Sequence, residues 1–445
     1  MPRLPSILTL VLLATTAVAL PATEWPQFRG PSGQGQATCA GWPLRWSEQE
    51  NIAWKVPISG RGWSSPVVSG DQVWLTTALD TPASAEVAKR VLERKGEGVP
   101  SPQVASHVTL KAICVSLSSG RVLRDVTLLE FAEPMVICAA NSYASPTPVL
   151  DAGRLYCDFG TMGTVCLAAD TGQVIWRRRL AVDHQVGPGS SPVVHGSLVI
   201  LVRDGIDQQY VIALNKATGD IVWQTERPSL AATPPMFRKS FSTPLVLQVD
   251  GREQLVATGA KWILSYEPAT GKELWRVDTG NSYSNASRPV CGGGLVFVGT
   301  AFPGSVLRAI RPDGSGDVTT THVQWQQQRS VPRQSSPLLV SEELYLVSDN
   351  GVASCLDARS GAVHWTELLP GSYAASPVFA EGRIYYFADN GKTTVARVGQ
   401  QYVPLAENQV EGRVLASPAF VAPAILLRTD KHLYCIRQPA ADGKR

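Results

Sequence analysis

One five-residue phrase, Ser-Ser-Pro-Val-Val, appears at Ser64–Val68 and again at Ser190–Val194. Relaxed to a small or polar residue, then Pro, then an apolar run, it becomes a series. The prolines are Pro66, Pro148, Pro192, Pro244, Pro289, Pro337, Pro377 and Pro418, separated by 82, 44, 52, 45, 48, 40 and 41 residues. Self-similarity at 40 to 50 residues means a solenoid or a propeller, because one such unit cannot bury its apolar face alone. Proline lacks a ladder N–H, so a Pro recurring at the start of a strand is tolerable while one inside it is not.

Each Pro step leads into β-branched and aromatic segments broken by Gly, Asp and Asn, such as Gly70–Thr77, Ala152–Gly160 and Glu381–Gly391. A second landmark follows, in which a strand enters a Thr-Gly or Ser-Gly turn and returns into a strand carrying tryptophan. It ends at Trp176, Trp223, Trp275 and Trp365, with a longer degenerate copy at Trp325. Each unit therefore reads as four short antiparallel strands, one propeller blade. Eight steps predict an all-β, eight-bladed β-propeller. After Pro418 no tryptophan strand follows, but Asn51–Val56 with Trp54 precedes the first step. The N-terminal strand is expected to complete the last blade and remove the open sheet edge. The blade-docking tryptophans are then Trp54, Trp176, Trp223, Trp275, Trp325 and Trp365.

The long first interval places an insertion at about 81–107, with helical spacing over Ser84–Lys95. Residues 23–50 lack alternation and read as an irregular segment packed on the propeller by its aromatics. The propeller spans 51–438, and 439–445 reads as a disordered tail. At the other end, Arg3, the apolar run Ile7–Ala19 and the Ala17-Val18-Ala19 step read as a signal peptide over 1–19, with cleavage possible up to 22. The expectation is an exported chain, periplasmic or extracellular. No cysteine near the cleavage point suggests a lipid anchor, and no later run suits a membrane span. A net charge of +3 does not suit nucleic acid.

Eight cysteines in an exported chain invite disulfides. Cys114, Cys166, Cys355 and Cys435 fall at one equivalent blade position, too far apart to bridge, and read as buried small side chains. Pairing among Cys39, Cys138, Cys157 and Cys291 stays open.

The segments Ala213–Trp223 and Cys355–Trp365 resemble the tryptophan-docking repeat of PQQ quinoprotein propellers, which also occurs in BamB-like assembly factors. Residues Glu24–Gly35, with the Asn51 and Gly60 segments, are similar to the exported PQQ-like propellers of planctomycetes. The enzymes of that fold imply adjacent cysteines over the quinone and a calcium held by Glu, Asn and Asp. No Cys-Cys dipeptide exists here, and no calcium set is legible. No hydrolase or phosphate-loop motif is present, and His195, His364 and His432 read as structural or surface groups. The resemblance therefore implies a non-enzymatic, monomeric scaffold with no catalytic residue, cofactor or metal, which binds a protein or peptide partner. A PQQ-dependent dehydrogenase using PQQ and calcium is the alternative.

Residues just ahead of the Pro steps are expected to ring one mouth of the channel. They are Arg61, Trp63, Asn141, Tyr143, Arg238, Lys239, Phe241, Asn281, Tyr283, Arg288, Arg333, Tyr373 and Arg413, with Glu411 the one acid close by. A cationic, aromatic mouth would attract an anionic ligand or a peptide segment. The plainer alternative is that the aromatics wedge between blades and the arginines bond neighbouring carbonyls.

Overall fold

A computed structural model describes residues 24–95 and 98–438. The expected signal peptide at 1–19 and the tail at 439–445 lie outside the described residues. The strands form eight four-stranded antiparallel sheets set in a ring, an eight-bladed β-propeller. The inner strands of blades 1 to 8 are Val67–Ser69, Val149–Asp151, Val193–His195, Leu245–Val249, Val290–Gly292, Leu338–Val340, Val378–Ala380 and Ala419–Val421. Each starts one residue after its Pro. The outer strand of blade 8 is Ile52–Pro57, paired with His432–Ile436, so the N-terminal strand closes the ring.

Neighbouring blades stack face to face, so the second strands bury both faces. Leu198–Asp204 is buried along its whole length, while the outer strand Ile221–Glu226 is largely exposed.

The Pro step has a specific physical role. The residue before proline is held extended, and here it is Ser or Thr in seven blades and Arg288 in blade 5. Its backbone N–H donates to the hydroxyl of the matching residue in the next blade. The links run Ser65 to Thr147, Thr147 to Ser191 and Ser191 to Thr243 at 2.9–3.0 Å. They resume as Arg288 to Ser336, Ser336 to Ser376 and Ser376 to Ser417, again at 2.9–3.0 Å. Between blades 4 and 5, where Arg288 has no hydroxyl to offer, Ser242 Oγ instead donates to Ser287 O at 2.7 Å. Between blades 8 and 1, the buried Arg428 reaches Ser64 O, Ser64 Oγ and Thr76 O.

A second belt runs around the outside. The indole N–H of a blade donates to the turn carbonyl of the next. Trp54, Trp176, Trp223, Trp325 and Trp365 reach Leu117, Lys216, Pro268, Ala358 and Gly399 at 2.9–3.1 Å. The turn must bring backbone against the ring. At Gly271, with φ +72°, a Cβ would stand 2.4 Å from the Trp223 ring. Trp275 differs. Its N–H goes to Gln254 Oε1 within its own blade at 2.8 Å, and the added strand Gly316–Asp317 lies along it in parallel. The long turn of blade 5 supplies that strand in place of a tight turn. Across each sheet the residue facing the tryptophan is small. Cys166 faces Trp176, Cys355 faces Trp365, Cys435 faces Trp54 and Ala213 faces Trp223. The thiols of Cys138, Cys157 and Cys291 are free.

Blade 1 is oversized. Its strands Gln72–Pro82, Ala105–Ser116 and Val122–Ala132 are eleven or twelve residues long, against five to seven in blades 2 and 3. Helix Ala85–Lys95 sits on the extended hairpin. The excess of the first interval thus goes into longer strands as well as a helix.

Replacing Ser376 by Ala removes the acceptor of the Ser336 N–H, which stays buried. The expected loss is about 1–3 kcal/mol, against a few tenths for an exposed serine. Denaturant midpoints of the two variants measure the difference.

Candidate functional site

The channel is filled by the protein itself. Glu24–Trp25 pairs antiparallel with Val68–Ser69 of blade 1, and Gln36–Ala37 pairs parallel with Phe379–Ala380 of blade 7. The chain between them therefore enters at the end where the inner strands finish, reverses, and leaves by the same end. It is tied to five further points. Pro26 O accepts from Leu150 N at 2.8 Å, and Gln34 Oε1 accepts from Cys291 N at 2.8 Å. Gln36 Nε2 donates to Leu339 O, Arg288 Nη1 donates to Phe28 O, and Trp25 packs on Phe420. Beyond it, Trp42 and Trp46 are buried against Phe420 and Tyr385. The aromatics of residues 23–50 pack on the propeller, and residues 26–37 of the same segment plug its axis.

That changes the meaning of the mouth residues. Arg288 is not at a solvent-filled mouth; it is 2% exposed and holds the plug. Tyr143 and Tyr373 are buried, with hydroxyls on the carbonyls of Met135 and Pro370. Asn141 bonds Val186 O and Pro188 O and accepts from Ser142 N. Arg61 donates to Gln103 and the Ala139 carbonyl and covers the ring of Trp63, whose indole faces Ala140 O. Arg238 turns back on Thr233 O and Ala231 O. Lys239 is buried between Gln185 Oε1 and Met236 O, and desolvation lowers its pKa to about 8. Phe241 faces His184, and Tyr283 stacks between Phe237 and Phe302. Asn281, Arg333 and Arg413 are exposed, with Arg333 over the Phe302 ring at 4.7 Å.

The mouth is also less cationic than its linear order suggests. Asp349 and Asp430 accept from the backbone N–H of Arg333 and Arg413 at 2.9 and 2.8 Å, and Asp389 faces Ser372 N. These acids come from turns 16 or 17 residues further on. The repeated Asp-Asn-Gly at 349–351 and 389–391 was the available signal.

Beside the plugged axis lies an open groove of about 880 Å³. The overhang of blade 1 supplies Phe131, Met135 and Val136. Blade 2 supplies Met162 and Arg179, and the turn before blade 4 supplies Pro234–Met236. Arg179 sits 5.4 Å from the Phe131 ring centre. The chain has four methionines, and three of them, Met135, Met162 and Met236, line this one groove. Nothing in the spacing of those residues marked them, because three different blades bring them together.

Blades 2 and 3 also hold a buried polar layer. Asp158 receives Arg203 in a two-pronged pair at 2.6 and 3.1 Å, and Asp204 receives Arg227 at 2.6 Å. Next to them His184 is buried, with neither ring nitrogen hydrogen-bonded among the described residues. Burial, aided by the Arg203 charge, lowers its pKa to about 3.

Matches to the family described as outer membrane protein assembly factor BamB cover residues 111–300, 236–347 and 304–415. The chain belongs to this family. It is 28% identical over 231 residues to the assembly factor BamB of Nitrosomonas eutropha, covering 49% of this chain and 50% of that protein. With the BamB of Burkholderia pseudomallei it shares 24% over 218 residues, 44% of this chain and 48% of that one. The chain thus spans about half the length of these relatives. Among solved structures, BamB from Moraxella catarrhalis superposes with a TM-score of 0.57 at 13% identity, covering 88% of this chain and 99% of that one. A europium-containing methanol dehydrogenase gives 0.60 at 10% identity, covering 93% and 91%. An assembly factor and an enzyme share the architecture, so these likenesses speak to fold alone.

Two outcomes are expected. Arg288→Ala lowers the melting temperature, because it frees the plug, whereas Arg333→Ala leaves it within a degree or so; thermal scans of both variants compare them. His184 lies below its ordinary pKa of 6.5, so the unfolded chain takes up the proton first and stability is lost as pH falls from 6.5 towards 3. His184→Leu should flatten that slope by up to about 1.4 kcal/mol per pH unit. Denaturant curves at several pH values measure the slope.

Proposed function

We propose that this protein is an exported, non-catalytic scaffold that holds segments of other proteins during cell-envelope assembly, and that the segments lie in the lateral groove. The convergence of three methionines on that groove carries the reading. Methionine is unbranched and polarisable, so a surface built of it repacks around many apolar sequences. The overhang of blade 1 gives the groove a wall that the other blades lack. Membership of a family described as outer membrane protein assembly factor supports the same class of partner, a polypeptide in the course of assembly.

The alternative, oxidation of a small substrate by bound PQQ with calcium, fits the channel poorly. A planar quinone needs a slot open along the axis, and residues 26–37 run through it. The two buried arginines there are engaged with the backbone of that same segment.

The test is binding of fluorescent peptides to the purified chain. The probes are extended apolar segments of an outer-membrane β-barrel and a scrambled charged control. Met135→Glu and Met236→Glu should each weaken binding of the apolar probe at least about tenfold, since each removes a buried methionine contact. Equal affinity in the variants, or equal binding of the charged control, would sink the groove as the site. Sequencing the N-terminus of the chain recovered outside the cytoplasm checks export. Reduction of a dye on adding PQQ, calcium and an alcohol would favour the enzyme.

A further inference from the structure

Buried guanidiniums in this protein fall into two groups. Arg203 and Arg227 each face a buried carboxylate, and Arg428 has three oxygen acceptors around one nitrogen. Arg29 and Arg288 have neither. Arg29, at 1% exposed, donates only from Nη2, to Gln34 O at 2.8 Å, and its Nε and Nη1 have no acceptor among the described residues. Arg288, at 2% exposed, reaches Phe28 O at 2.6 Å and Gln27 Oε1 at 3.5 Å, and among the described residues its Nε has no acceptor. No carboxylate of the described residues forms a salt bridge with either. The two cations instead repel each other, and desolvation with that repulsion lowers the pKa of Arg29 to about 9.

An isolated buried charge is strongly unfavourable unless something compensates it. Here there are two, both held by the same turn of the plug: Arg288 donates to Phe28 O, beside Arg29 in the chain, and Gly33 and Gly35 of that turn lie against Arg288 and Arg29. The surrounding chain is shaped to keep them. The turn Gly30–Gly35 wraps the Arg29 guanidinium, and a Cβ at Gly33, where φ is +70°, would stand 2.5 Å from Arg288 Nη1. Arg288 is also the single departure from Ser or Thr in the ring of pre-proline residues, and it forfeits a hydroxyl link there. Local rules broken at one buried spot mark sites of function.

We propose that the centre of the channel binds one small inorganic oxyanion, of the phosphate or sulfate class, between the guanidiniums of Arg29 and Arg288. The planar forks offer the geometry such oxygens accept. The enclosure excludes a macromolecular carboxylate or phosphate, because both side chains are shut away from the surface. The ion neutralises the pair and fastens plug to ring, so it acts as a structural pin, independent of what the groove binds.

The experiment uses the full chain, purified and dialysed into chloride. Ion chromatography after acid denaturation should release about one phosphate or sulfate per chain. If the dialysed protein has lost it, low-millimolar phosphate or sulfate should raise the melting temperature saturably. The rise should be about 4 °C or more over chloride at equal ionic strength. Arg288→Ser, which restores the repeat's own residue, and Arg29→Gln should each abolish the bound ion and the rise. Absence of released oxyanion together with equal melting temperatures in phosphate, sulfate and chloride overturns the proposal, leaving water as the occupant. A rise that persists in both variants overturns it too. Should neither variant fold, the wild-type ion content and melting series decide.

Discussion

Everything in this propeller hangs on how one blade grips the next at the axis. The grip is a backbone N–H ahead of a proline donating to a Ser or Thr hydroxyl one blade on. Proline fixes the residue before it as extended, which presents N–H and hydroxyl to opposite neighbours. A single residue type thus serves as donor on one side and acceptor on the other. Tryptophans repeat the logic at the periphery, where the lever arm is longest and a ring face can cover a turn. The two belts fix both the inner and the outer radius, and the middle strands between them are apolar on both faces.

With the scaffold so determined, difference is concentrated in few places. Blade 1 carries the long strands, the helix and one wall of the groove. Blade 5 departs at Arg288 on the inside and at its long turn on the outside, where Gly316–Asp317 stands in for a tight turn. The buried pair Asp158–Arg203 joins blade 2 to blade 3, and Asp204–Arg227 braces blade 3 where its outer strand ends. Function in repeat proteins is sought where the repeat fails, and here it fails in blades 1 and 5, on opposite sides of the ring.

The periodic part of this was open to reading from residues alone. Pro steps and turn tryptophans recur at blade spacing, and the orphan strand at Trp54 has one place to go. The hidden part was set by long-range placement. Glu24–Ala37 has no alternation to announce a strand, and its partners are blades 1, 2, 5, 6, 7 and 8 rather than chain neighbours. Arg288 and Arg333 look equivalent in the sequence, each shortly before a proline. One offset of position separates them: Arg288 takes the pre-proline place that points to the axis, while Arg333 lies three residues earlier, in the loop. Trp275 carries the same landmark as Trp223, yet the absence of a tight turn in the next blade redirects its N–H. Methionines 135, 162 and 236 share no spacing, and only the ring brings them together.

The strand Ile52–Pro57 and the plug before it precede the blades in the chain, and both wait on blade 8. Ile52–Pro57 has no sheet to join until His432–Ile436 exists. The plug has no socket until blades 5, 6, 7 and 8 stand around it. Assembly therefore cannot proceed in order of synthesis. This stretch stays uncommitted until His432–Ile436 is made, and its arrival converts an open crescent of blades into a closed ring.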